Sequence, residues 1–162
     1  MKLKLKTIST PSQSPAKQIG AFIAKFDPKM EKLITPLRKT LRKRFPTAIE
    51  LVYDNYNFLV FGFCTTDRAS DCLVSLAANA HGVTLFFNWG ATLPDPHNIL
   101  QGGGNQVRWI RLEGPATLAR PAVEALLKAA VAQTKHPLPT EKGYTIVKSI
   151  SGKQRPRRAP AK

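Results

Sequence analysis

Cysteine is scarce: Cys64 and Cys72 are the only two in 162 residues, too few for a disulfide framework. A reducing cytoplasm is the default expectation for such a chain, and Cys64, set between Phe63 and Thr65, reads as a small buried hydrophobe. Long hydrophobic runs are absent as well. The longest, Phe58–Cys64, has the length of a strand, whereas a membrane helix needs roughly 18 or more apolar residues. Met1–Lys6 alternates lysine with apolar residues and has no apolar stretch behind it, so no secretory signal is expected. His81, His97 and His136 are scattered, and no CxxC, HxH or HExxH spacing occurs, which argues against a structural zinc. No G-x-S-x-G elbow marks a nucleophile, and Gly102-Gly103-Gly104 lacks the Gly-Lys-Ser/Thr of a Walker loop. Acidic residues are few, 10 against 25 lysines and arginines, giving a net charge of +15.

What is present is unevenly placed. Residues 1–50 carry 12 basic and 3 acidic side chains, residues 51–134 carry 5 and 6, and residues 135–162 carry 8 and 1. A neutral centre flanked by basic ends attracts polyanions weakly and without sequence preference, and it also serves solubility.

Residues 1–15 are basic and then Ser/Thr/Pro-rich, which predicts a flexible leader. Ser14-Pro15 supplies an N-cap and first-turn proline for a short helix with Ile19, Phe22, Ile23 and Phe26 on one face. Asp27-Pro28 opens a longer helix with an apolar stripe of Met30, Leu33, Ile34, Leu37, Leu41 and Phe45, and with Lys29, Lys32, Arg38, Lys39, Arg42 and Lys43 opposite. Pro36 lacks an N–H and is expected to kink or split that helix. Ile49–Tyr53, Phe58–Phe63, Cys72–Asn79, Val83–Phe87 and Gln106–Leu112 read as strands, with a hairpin at Ala80–Gly82. Arg120-Pro121 opens a last helix along Val123, Leu126, Leu127, Ala130 and Val131. Strands without βαβ alternation predict an α+β domain over residues 16–134: an antiparallel sheet with N-terminal and C-terminal helices packed on one side. The Pro/Lys/Arg-rich stretch 135–162 reads as a tail outside the packed domain.

The ordered set of Tyr53-Asp54-Asn55-Tyr56-Asn57-Phe58, the hairpin Leu73–Phe87, the loop Asp95-Pro96…Leu100-Gln101-Gly102-Gly103-Gly104 and the strand Val107–Leu112 resembles the YdhG-like domain of unknown function family. The resemblance covers roughly Ile19 to Ala132 and implies a frataxin-like sandwich; for some relatives it also implies an iron-handling role. Frataxin-type iron binding uses a ridge of carboxylates. The N-terminal third here offers Asp27, Glu31 and Glu50 against 12 lysines and arginines, so iron enters by resemblance only and no other cofactor is expected.

One group of residues combines amides, rings and charge at strand ends: Tyr53, Asn55, Tyr56, Asn57, Asn88, Trp89, Asp95, Gln101, Gly102 and Arg108. Such a set suits a cleft that orients a small or anionic ligand by hydrogen bonds and stacks it on a ring, and it suits ordinary turn formation equally. The expectation is a binding domain rather than an enzyme, with this cleft between the Tyr53–Phe58 turn and the Asn88–Arg108 loop. A frataxin-like iron chaperone and a non-specific nucleic-acid-associated protein are the alternatives.

Overall fold

In the computed structural model residues 13–160 are described; most of the leader expected over 1–15 lies outside them. The first helix, α1 (Pro15–Ile23), starts as its sequence predicts, with the Ser14 hydroxyl accepting the Lys17 N–H at 3.3 Å. The second, α2 (Pro28–Arg44), runs as one continuous helix through Pro36. Its C-terminal turn carries Arg42, Lys43 and Arg44, the sign its dipole favours.

Five strands follow as an antiparallel meander: β1 (Ile49–Asp54), β2 (Leu59–Cys64), β3 (Cys72–Asn79), β4 (Gly82–Phe87) and β5 (Arg108–Leu112). A short helix α3 (Pro115–Leu118) and the amphipathic α4 (Pro121–Ala132) come next. Period-2 alternation sorts the strand residues onto two faces. Val52, Phe61, Leu76, Leu85 and Ile110 are aligned across the five strands and share one core with Ile19, Phe22, Leu37, Leu41, Val123 and Leu127 of the helices. The fold is therefore α+β, with helices from both ends of the chain sharing the core on one sheet face. A smaller cluster, Ile49, Leu51, Cys64 and Cys72 with Tyr53 and Ile146, lies on the other face.

Two expectations are corrected. The described part of the expected 135–162 tail, residues 135–160, is not loose outside the domain: Thr145–Ile150 forms β6, which pairs parallel with β1 and completes the order β5-β4-β3-β2-β1-β6. The alternation Thr145-Ile146-Val147 is strand-like, but proline and lysine on both sides hide it when the chain is read linearly. The sheet is thus mostly, not wholly, antiparallel. Second, Cys64 and Cys72 are not separate thiols. The antiparallel register of β2 and β3 sets them opposite each other, and they are joined as a disulfide. Gly62 beside them is needed, because a Cβ there would lie 2.9 Å from the Cys72 sulfur. Among the described residues no helix is long and apolar enough to cross a membrane.

Candidate functional site

β1 carries an unusual pattern on the helix-facing side. Glu50, Val52 and Asp54 alternate inward, so two carboxylates sit in the core face and are fully buried. Each is met by a cation from elsewhere in the chain. Arg38 of α2 grips Glu50 with two hydrogen bonds, at 2.7 and 2.8 Å, while its guanidinium lies over the Phe61 ring. The Thr145 hydroxyl donates to Glu50 at 2.7 Å and so ties β6 to the same carboxylate. Asp54 accepts from Lys25 at 2.6 Å and from Arg157 at 3.0 Å. Burial pushes the Asp54 pKa up, but hydrogen bonds from Lys25, Gln154 and Arg157 and the Lys25 charge outweigh it, leaving the group below its ordinary value.

The register also decides whether the expected cleft exists. Arg108 aligns through Phe87, Val74 and Phe63 with Glu50, the lower end of the sheet, whereas Asp54 lies four residues up and four strands across. That is roughly 13 Å along the strands and about 19 Å across the sheet. The Tyr53–Phe58 turn and the Asn88–Arg108 loop are therefore at opposite ends, and no single cleft joins them. An odd number of strand crossings separates the two loops, and odd crossings put connections at opposite ends of a meander.

At the lower end, Asn88, Trp89 and Arg108 come close together. The Asn88 N–H donates to the Leu73 carbonyl at 3.2 Å, and its side-chain amide donates to the Ser70 carbonyl at 3.4 Å. Trp89 follows and is 47% exposed. Its carbonyl accepts from the Gln133 amide at 3.1 Å, and the Thr92 hydroxyl donates to Gln133 at 2.8 Å, so the end of α4 fixes the Trp89 loop. Beside the indole lies a cavity of 480 Å³. Leu73, Phe87, Leu93 and Ala130 give it apolar lining, and Ser70, Asp71, Thr92, Gln133, Thr134 and Lys135 add polar groups. The β2–β3 connection and the end of α4 contribute lining that the sequence does not reveal, because no local signal ties segments about 60 residues apart.

Arg108 does not face this cavity as a free charge. Its guanidinium donates to the carbonyls of Gly103, Gly104 and Val107 at 2.8–2.9 Å, which clamps the glycine loop. Gly102 and Gly104 take φ of 111° and 82°, conformations that favour glycine, so these residues serve the turn. Asp95 is likewise used locally, accepting the Ile99 and Leu100 N–H groups at 3.0 Å. Gln101 forms an isolated backbone bridge with Trp109.

At the upper end, Tyr53 is partly buried in the second cluster, and burial raises its pKa. Asn55 is held by the Ser149 hydroxyl at 3.0 Å and gives its carbonyl to Arg157. Tyr56 lies beneath the Arg155 guanidinium, and Asn57 is exposed. Among the described residues no group of three or more His, Cys, Asp or Glu side chains is placed to hold a metal ion. No family model, curated protein or solved structure matches this chain.

Proposed function

We propose that this chain is a non-catalytic binding domain of the YdhG-like type that holds a small ligand in the cavity beside Trp89. One observation carries the reading: a large indole stands 47% exposed at a cavity of 480 Å³ whose apolar lining is otherwise core side chains such as Phe87. Exposing an indole forgoes burial worth about 2–3 kcal/mol, and a ligand-bound state recovers it. The hydroxyls and amides of Ser70, Thr92, Gln133 and Thr134 supply orienting hydrogen bonds, as small-molecule sites commonly do. Among the described residues Asp71 is the one carboxylate lining the cavity, and the Thr66 hydroxyl already donates to it at 2.7 Å, which suits binding better than acid–base chemistry.

The test is native mass spectrometry of protein purified from a host lysate, run beside Ala130→Trp, which fills the cavity. The reading expects a bound small molecule on the parent and none on the variant. The same mass on both proteins, or none on either with Trp89 emission in a Trp109→Phe background unmoved by an apolar probe such as anilinonaphthalene sulfonate, would refute it. The compartment proposed from the sequence is the cytoplasm, and the Cys64–Cys72 disulfide counts against it, since reducing compartments keep thiols reduced.

A second property rests on α2. Lys29, Lys32, Lys39 and Lys43 fall within one quadrant of the helix, opposite the buried Ile34, Leu37 and Leu41, and among the described residues they make no ion pair. This stripe is suited to weak polyanion binding. The iron reading has less support, since Glu50 and Asp54 are consumed by Arg38, Lys25 and Arg157.

A further inference from the structure

The C-terminal strap builds a second cavity at the upper end of the sheet, away from Trp89. After β6 the chain turns back across the β1–β2 turn. The Arg155 N–H donates to the Tyr56 carbonyl at 2.8 Å, Gln154 donates to the Asp54 carbonyl at 2.9 Å, and Arg158 reaches the Lys25 carbonyl at 3.3 Å. Between this strap and the two upper turns lies a cavity of 320 Å³. Phe58, Ala80, Pro156 and Pro160 give it flat apolar walls, and Asn57, Asn79, His81, Arg155 and Arg158 give it polar groups. Among the described residues no carboxylate lines it.

The charge around it is unbalanced. Lys25 and Arg157 pair with Asp54, and Arg155 and Arg158 add two further charges on the strap, so these described side chains sum to +3. Arg157, 3% exposed at its side chain, is paired with Asp54 and does not line the cavity, so the cations that face it are Arg155 and Arg158. Arg155 and Arg158 are exposed and make no ion pair among the described residues, so both guanidinium groups are open to an anion from solution. Arginine forks at the rim of an apolar slot match a phosphate attached to a planar body, the phosphate taking the guanidinium N–H groups and the ring lying against proline and phenyl faces. The Asn57 amide offers one donor and one acceptor side to a ring edge.

We infer that this strap cavity binds a phosphorylated small molecule of the nucleotide class, with Arg155 and Arg158 holding the phosphate and Phe58, Pro156 and Pro160 enclosing the base. The site is distinct from the Trp89 cavity, and each reading stands without the other. Because the strap supplies both arginines, the binding groups come from the stretch with the densest basic charge.

Titration calorimetry of the full chain with AMP, adenosine and inorganic phosphate is the test. AMP is expected to bind, with adenosine and phosphate each at least tenfold weaker. Arg155→Gln and Arg158→Gln, both at exposed side chains, are expected to weaken AMP at least tenfold with the melting temperature unchanged. Ala80→Phe, which fills the cavity and leaves every charge in place, is expected to abolish AMP binding. The inference is overturned if AMP fails to bind at millimolar concentration or if inorganic phosphate binds as tightly as AMP. It is equally overturned if the three variants bind AMP as the parent does, or if single-stranded RNA competes in strict proportion to its charge, which would assign the strap to a polyanion surface.

Discussion

Arg157 and Asp54, 103 residues apart in sequence, form an ion pair at 3.0 Å with both side chains buried. The contact pins the C-terminal strap against β1. Removing one partner leaves the other charged and desolvated, which typically costs about 3–5 kcal/mol. Asp54→Ala is therefore expected to destabilise by that amount in urea unfolding. Lys25→Ala is expected to cost only about 0–1 kcal/mol, because Lys25 is 41% exposed and its pairing is screened by water.

The same carboxylate sets a pH dependence. Its pKa is lower in the folded state than in the unfolded chain, so its stabilisation is complete above about pH 3.9 and is lost as pH falls through the folded value. The stability gap between parent and Asp54→Asn should therefore shrink as unfolding is measured from pH 5 down to pH 2. A constant gap would show that charge at Asp54 contributes nothing.

Linking Cys64 to Cys72 closes a short loop, with a sequence separation of 8. The chain-entropy argument gives about 2–3 kcal/mol for a ring of that size. Denatured, unreduced protein should show no titratable thiol, and reduction should lower stability by about that amount. Two thiols titrated without reductant would contradict the pairing.

Arg108 is expected to act on the fold rather than on a ligand. Arg108→Ala removes three hydrogen bonds to loop carbonyls and should cost about 1–3 kcal/mol, with faster amide exchange at Gly102–Val107. Occupancy of the Trp89 cavity in native mass spectra should stay unchanged. Its loss without destabilisation would instead make Arg108 a ligand contact.

Polyanion binding should map to α2. Changing Lys29, Lys32, Lys39 and Lys43 to glutamine should weaken duplex DNA at every sequence tested and lower the salt slope by about 3–4, as four lost phosphate contacts require. Deleting residues 135–162 is no clean test of charge, because it strips β6 from β1 and leaves Asp54 without Arg157. An unchanged slope in the quadruple variant would place the contacts elsewhere.

Local chemistry made much of this architecture readable. Ser14-Pro15 and Asp27-Pro28 mark helix starts because capping and proline geometry act over a few residues, and the apolar stripes of α1, α2 and α4 fall where 3.6-residue periodicity puts them. The five meander strands were legible for the same reason, as hairpin pairing needs only neighbours. What the linear chain could not show is which distant groups meet. Asp54 reads as a turn residue until Lys25 and Arg157 close on it, and Thr145–Ile150 becomes a strand by pairing with β1 across the sheet. Tyr53 and Trp89 look alike as strand-end aromatics, yet the number of strands between them sends one to each end of the sheet. Long-range pairing and the parity of the meander are properties of the whole fold, so the separation of the two cavities was decided by tertiary structure alone.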